Sequence, residues 1–135
     1  MRFALSFKSG KPVYLQLVDQ VKAAAACGAV QPGELLPSIR PLAEELRVNR
    51  NTIAKAYGEL ESQGIIETLP GKGSFIRASN NSPYKKDVRV RMLTEAVDAA
   101  AVQAHHLQVT RADFVQLAEE RFDSFDERRA RAAKG

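Results

Sequence analysis

The sequence contains little cysteine and no long apolar run, and both absences narrow what the chain can be. Cys27 is the single cysteine among 135 residues, so no disulfide can form within the chain. A chain without disulfides fits a reducing compartment such as the cytoplasm. No apolar run approaches the roughly eighteen residues that a membrane-spanning helix needs, and the first residues become polar too soon for a signal peptide. We therefore expect a cytoplasmic protein without a membrane partner.

The sequence also lacks the residue patterns of an enzyme. It has no glycine-rich nucleotide loop, no nucleophile elbow and no cysteine–histidine cluster. The carboxylate pairs 44–45 and 119–120 are sequence neighbours, which point about 100° apart on a helix and cannot share a proton. We expect no catalytic residues and no cofactor.

Two adjacent histidines, His105 and His106, are poor metal ligands for the same reason. A zinc or manganese site would need further ligands, and Asp98 and Asp113 are the nearby candidates. The alternative is a polar patch at a helix end, where cations complement the helix dipole. We favour this alternative and expect no metal site.

Length and charge allow one or two small domains with a modest basic surplus. The chain of 135 residues is 44% hydrophobic, which is enough for a core, and its formal net charge is +4. Residues 1–78 hold ten basic and seven acidic side chains, so most of the surplus lies in the first half. A surplus of this size does not by itself indicate nucleic acid.

Three short helices are predicted in the first half after an extended start. The first begins near Pro12 and stops at Gly28. Ser38 is a good N-cap for the second, and Asn49 for the third, which should end at Gly64. The predicted inner faces of the second and third helices consist of Leu42, Ala43, Leu46, Ile53, Tyr57 and Leu60.

A small hairpin and two longer helices complete the predicted architecture. Segments 65–69 and 74–77 are β-prone and flank a tip with two glycines, and a further turn is predicted at 31–33. The first unit is therefore 1–78, followed by a linker at 79–87, a helical hairpin at 88–131 and a frayed tail at 132–135. In the first helix of the hairpin, an apolar seam spaced at three and four consists of Val90, Leu93, Val97, Ala100, Ala104 and Leu107. The apolar face of the second includes Phe114, Phe122 and Phe125, and the seam and this face are the predicted dimerisation residues.

Two short helices joined by about three residues and followed by a hairpin are typical of a winged helix-turn-helix, whose second helix enters the DNA major groove. Arg40 lies in the first turn of the first of these helices, where backbone amides favour phosphate. Arg50 and Asn51 open the second, and these residue types bind guanine and adenine edges in bidentate fashion. Thr52 and Lys55 suit phosphate contacts.

Each of these residues also has a structural interpretation. Arg40 could pair with Glu44 at i+4, and Arg50 and Lys55 could form the solvated side of an amphipathic helix. At the hairpin tip, Gly71 and Gly73 would let backbone approach a groove, but a tight turn needs them without DNA. Lys72, between those glycines, is the residue that the turn explains least.

The pattern PxYLQLxxxVxxxxxxGxxxPGxxLPSxRxLAxxLxVxRNTxxKAYxELExxGxIxxxxGxGxFI, over residues 12–76, resembles the DNA-binding domain of GntR-type transcription regulators. Arg47 and Asn49 depart from it, since they stand where Gly and Ser or Thr are more usual. The DNA contacts that the resemblance implies are Arg40, Asn49, Arg50, Asn51, Thr52, Lys55 and the wing at Gly71.

Only 57 residues follow residue 78, too few for the larger ligand-binding domains of the family. The remainder resembles the YtrA-like subgroup, in which a short helical hairpin makes the dimer. Such a hairpin cannot bury its apolar faces alone, and a second copy would complete a four-helix arrangement. The predicted fold class is mainly α with a small β-wing.

The predicted function is that of a transcription regulator, a repressor, which binds a pseudo-palindromic operator on double-stranded DNA as a homodimer. The sequence does not identify an effector. The alternative is an architectural or protein-binding winged helix without operator specificity.

Overall fold

The computed structural model describes residues 1–79 and 82–134, and the chain over these residues is mainly helical with a small wing. The elements are α1 (Val13–Ala26), α2 (Ile39–Leu46), α3 (Arg50–Ser62), β1 (Ile66–Leu69), β2 (Gly73–Ile76), α4 (Lys86–His106) and α5 (Arg111–Lys134). The predicted fold class, a winged helix-turn-helix followed by two helices, is confirmed. Asn80 and Asn81 of the predicted linker and Gly135 of the predicted tail lie outside the described residues.

The core lies where α1 and α2 pack on α3 and α3 packs on the wing. Leu17 and Val21 of α1, Ile53 and Leu60 of α3, and Ile66 of β1 are each at most 1% exposed. Burying a side chain of this size stabilises the folded state by about 1.5–3 kcal/mol. Because α1, α2 and β1 all pack on α3, the whole domain fixes its position.

The ends of α3 are stabilised as the sequence predicts. The Asn49 side chain accepts a hydrogen bond from the Asn51 amide at 2.7 Å. Gly64 has a φ of 75°, and the Ile65 amide donates to the Leu60 carbonyl at 2.9 Å, which is a left-handed glycine termination. Ser38 occupies the N-cap position of α2, but among the described residues its side chain makes no capping hydrogen bond.

Tyr57 connects α3 to the segment before α2. It is 6% exposed, and its hydroxyl donates to the Pro37 carbonyl at 2.7 Å. Burial raises the pKa of the Tyr57 hydroxyl from 10.0 to about 12, because the low-dielectric surroundings disfavour the phenolate.

Tyr57→Phe is expected to lower the free energy of unfolding by about 1 kcal/mol near neutral pH, because the Pro37 carbonyl loses its donor. In the wild type, the contribution of Tyr57 to the free energy of unfolding is complete below pH 10 and is lost as the pH rises from 10 to about 12, because the pKa of Tyr57 is raised in the folded state. Between these pH values the unfolded state holds fewer protons than the folded state, so stability falls as the pH rises. Denaturant unfolding at pH 7 and at pH 11 measures both effects. A variant that matches the wild type at both pH values would contradict this account.

The wing contains a third paired segment that the sequence analysis missed. β1 and β2 pair antiparallel with Ile66 opposite Ile76. On the other side of β2, Leu35 forms a bridge with Phe75, and the Leu36 amide donates to the Ser74 carbonyl at 2.8 Å. Only a turn was predicted here, at 31–33. Hydrogen bonds with the segment before α2 therefore occupy an edge of β2 that would otherwise be open.

Two glutamines hold the N-terminal segment against α1. The Gln20 side chain accepts from the Ala4 amide at 2.9 Å and donates to the Ala4 carbonyl at 2.7 Å. Gln16 makes the same pair of bonds with Ser6, both at 2.9 Å, and also donates to the Lys11 carbonyl. Each amide thus provides the donor and the acceptor that a neighbouring β-strand would provide.

Helices α4 and α5 are long but contain no buried residue within the described part of the chain. Over the same residues, neither helix packs closely on the other or on α1, α2 or α3. α4 starts at Lys86, before the predicted 88, and α5 continues to Lys134, so residues 132–134 are helical where a frayed tail was predicted. None of the described helices is both long enough and apolar enough to cross a membrane.

Candidate nucleic-acid interface

The turn between α2 and α3 places two polar side chains, Arg47 and Asn49, on one surface. Arg47 ends α2 with a φ of 58°, a left-handed conformation that costs a non-glycine residue about 1–2 kcal/mol. The Val48 amide donates to the Ala43 carbonyl at 3.0 Å, and the Val48 side chain packs on the core. Asn49 then starts α3 as its N-cap.

One side of α3 is exposed, and the middle of that side carries only small residues. The buried residues of α3 are Ile53, Ala56, Tyr57 and Leu60. The exposed residues from the start of α3 to its middle are Arg50, Asn51, Ala54, Lys55 and Gly58, which we call the recognition face; Glu61 and Ser62 are exposed at the other end. Because Ala54 and Gly58 have small or no side chains, this helix can lie close to a groove while the residues at its N-terminal end project from it.

Three arginines surround an open depression beside the recognition face. The depression has a volume of about 530 Å³, and its lining includes Arg40, Arg47, Asn49 and Arg50. The structure therefore brings together three predicted residues and adds Arg47, which was not predicted as a DNA contact. In the sequence, Arg47 could have been identified only as a basic residue in the short connection between the two helices. Guanidinium groups in this arrangement suit the oxygens of phosphate and of base edges.

The pair predicted as an alternative for Arg40 is present but weak. The Arg40 Nε and the Glu44 Oε1 are 3.8 Å apart, and their side chains are 75% and 74% exposed. Exposed pairs of this kind typically contribute well under about 1 kcal/mol. The pair therefore leaves Arg40 available for a phosphate.

Asn49 and Lys55 both have structural roles besides any contact with a ligand. The Asn49 side-chain oxygen Oδ1 is used in capping α3, so the Nδ2 amide group of the same side chain remains for a ligand. The Lys55 ammonium lies over the Tyr14 ring, 4.1 Å from its centre, which links α3 to α1 through a cation–π contact. Thr52 is half-buried beside them. Tyr14 was not identified as part of this surface from the sequence.

The wing tip is a tight turn that explains its glycines and leaves its lysine unexplained. Gly71 and Gly73 have φ values of 77° and 114°, and the Lys72 amide donates to the Leu69 carbonyl at 2.9 Å. A Cβ atom at Gly73 would lie 2.8 Å from the Leu35 side chain. Both glycines are thus required by the turn, whereas Lys72 is exposed.

The predicted dimerisation residues are spread along two helices whose described residues are not closely packed on each other. Ala104 and Phe114 meet at the turn, where they line a cavity of about 490 Å³ together with His105. Away from the turn the apolar side chains remain exposed, including Leu93 at 65% and Phe122 at 69%. The half-buried members are Ala100, Ala104, Phe114 and Phe125, and the exposed ones are Val90, Leu93, Val97, Leu107 and Phe122.

The two histidines face each other edge to face, with ring centres 5.1 Å apart. Among the described residues, no three side chains of His, Cys, Asp or Glu lie close enough together to hold a metal ion.

Comparison with known proteins places the chain in a family. Residues 13–76 match the bacterial regulatory proteins of the gntR family. The HTH-type transcriptional repressor YtrA of Bacillus subtilis (strain 168) is 38% identical over 102 residues, which are 76% of this chain and 78% of the relative. The sequence-based resemblance to YtrA-like regulators is confirmed by this match, whose 102 residues exceed the length of the winged helix.

Two solved structures extend the similarity to the fold. A transcriptional antiterminator from Listeria monocytogenes EGD-e is 33% identical with a TM-score of 0.76, over 89% of each chain. YtrA from Sulfolobus acidocaldarius, a GntR-family transcription factor, is 30% identical with a TM-score of 0.57, over 72% of this chain and 97% of that one. The chain therefore belongs to the gntR family of bacterial regulatory proteins.

Proposed function

We propose that this DNA-binding regulator is a sequence-specific repressor that binds a pseudo-palindromic operator as a homodimer. The observation that carries the proposal is the recognition face, where Arg50 and Asn51 are exposed at the N-terminal end of α3. In helix-turn-helix proteins this end of the second helix contacts base edges in the major groove.

The residues around the recognition face divide into two groups by their chemistry. Arg50 and Asn51 can each form two hydrogen bonds with one base, which supports sequence discrimination. Arg40 and Arg47 border the depression on the α2 side, where charge–phosphate contacts would position the domain without selecting a sequence. We assign Lys72 of the wing to this second group.

Lys72→Ala is expected to weaken binding to all DNA sequences about equally and to lower the slope of log affinity against log salt by roughly one unit. The reason is that one exposed cation contacts one phosphate. Titrations of a preferred and a random duplex at several salt concentrations measure both quantities. Unchanged affinity and slope would mean that the wing only closes the sheet.

The homodimer is supported by the apolar surface that α4 and α5 leave uncovered. Leu93, Val97 and Leu107 are between 46% and 65% exposed, although such side chains gain about 1.5–3 kcal/mol each from burial. Two helices that are not closely packed on each other over their described length can accept the corresponding helices of a second copy against them. The resulting four-helix arrangement would bury all these faces and place two recognition faces on one DNA duplex.

Whether the chain represses or activates transcription is inferred from its relatives. YtrA of Bacillus subtilis is named as a repressor, and we assign repression to this chain on that similarity. We place its action in the cytoplasm, where its operator would be, and assign it no catalytic activity.

Selection of duplexes from a randomised pool, followed by competition titration at fixed salt, tests the proposal. We expect the selected sites to contain two inverted half-sites and to bind far more tightly than random DNA. Salt-dependent binding without sequence preference would instead support an architectural protein and would overturn the proposal.

A further inference from the structure

We propose that Arg129 is a positioning residue that latches the end of α5 to α1 and thereby sets the spacing of operator half-sites that the dimer accepts. The inference rests on the proposed dimer, in which α4 and α5 join the two copies.

The latch is a hydrogen bond between residues far apart in the sequence. The Arg129 guanidinium donates to the Ala26 carbonyl at 2.8 Å, and a second nitrogen of the same group donates to the Asp126 carboxylate. The Ala26 carbonyl belongs to the last turn of α1, where carbonyls have no partner within the helix. α1 has no basic residue of its own in that turn, so α5 supplies the cation that complements the negative end of the helix dipole.

Gly28 allows the two helices to come this close. It is buried, and its φ is 78°. A Cβ atom added there would lie 3.0 Å from the Ala132 Cβ and 3.1 Å from the Arg129 Cα. A side chain at position 28 is therefore disfavoured for two reasons: the left-handed backbone there and the closeness of α5.

The contact links the dimerisation helices to the recognition helix through one packed element. α1 carries the latch at its C-terminal end and packs on α3. The angle between α5 and α1 thus determines where α3 lies relative to the second copy. Because half-sites are separated by a fixed number of base pairs, a fixed angle selects a fixed spacing.

Hydrogen exchange of the full-length protein without DNA tests the latch directly. In Arg129→Ala, amides of residues 24–30 should exchange several-fold faster than in the wild type, because the end of α1 loses its cap. Arg131→Ala, which removes an exposed arginine from the same helix, should leave them unchanged. Equal exchange in Arg129→Ala and the wild type would overturn the latch.

A glycine pair gives a second test that does not depend on removing Arg129. Gly28→Ala and Gly33→Ala impose a similar backbone strain, since the φ values are 78° and 87°. At Gly33, however, an added Cβ atom would meet no described atom within 4 Å. Gly28→Ala should accelerate exchange in residues 126–134, and Gly33→Ala should not. Equal effects of the two would also overturn the latch.

The consequence for DNA is tested with duplexes selected by the wild type whose half-sites are moved apart or together by one base pair. The wild type should lose affinity several-fold on either change, whereas Arg129→Ala should lose little, with unchanged affinity for a single half-site. If Arg129→Ala keeps the wild-type preference, the spacing role is wrong. Sedimentation separates the two proposals, since a monomeric wild type would refute the dimer while the exchange result still decides the latch.

Discussion

Leu93→Asp is expected to yield folded monomers that bind the operator about 10²- to 10⁴-fold more weakly than the wild type, although residue 93 lies outside the residues 13–76 that match the gntR family. The affinity falls because two linked half-sites bind as one intramolecular event in a dimer, and this gain is lost in a monomer. The dimer dissociates because a carboxylate entering the apolar contact is desolvated without a partner.

The exposure of Leu93 makes this substitution a clean test. Its side chain is 65% exposed within one chain, so aspartate there should not unfold the monomer. Val102 provides a matched control, since it is on the same helix, is 60% exposed, and lies on the opposite side from the predicted seam at about 100° per residue. Val102→Asp should remain dimeric and bind normally. Sedimentation at micromolar concentration decides, and a dimeric Leu93→Asp variant would place the interface elsewhere.

Arg50→Ala is expected to reduce the preference for operator over random DNA by about 1–3 kcal/mol, which is the discrimination that one bidentate base contact provides. The fold should be unaffected because Arg50 is exposed at the start of α3. Competition titrations at fixed salt measure the ratio of specific to non-specific affinity.

The wing lysine provides the contrast for Arg50. Lys72→Ala should weaken both affinities and leave their ratio unchanged, since a phosphate contact is independent of sequence. If Arg50→Ala also left the ratio unchanged, Arg50 would belong with the phosphate contacts and base recognition would have to lie with Asn51 or with other residues.

The features that could be predicted from the sequence are those determined by neighbouring residues. Asn49 caps α3 and Gly64 ends it, because caps and left-handed terminations depend on the chemistry of a few adjacent positions. The recognition face follows from the same helix, since the burial of Ile53, Tyr57 and Leu60 fixes which side remains exposed. These local rules determined most of the winged helix.

The features that were missed depend on contacts between distant segments. Leu35 pairs with Phe75 across the wing, and Arg129 bonds to Ala26 at a separation of 103 residues. Neither pairing has a local signature, because a turn residue and a surface arginine look alike with or without such a partner. Arg47 was missed for a different reason, since it was noted only as a departure at a position where Gly is more usual and not as a cation beside the recognition helix.

The glutamine contacts with the N-terminal segment have a consequence for which sequence changes the protein can tolerate. Gln16 and Gln20 bond to the main chain of Ser6 and Ala4, so many side chains at positions 4 and 6 are compatible with the same docked backbone. The reverse does not hold, because a glutamate at Gln16 could only accept hydrogen bonds and would face the carbonyls of Ser6 and Lys11. Variation among related proteins should therefore accumulate in the docked segment and be rare at the two glutamines that hold it.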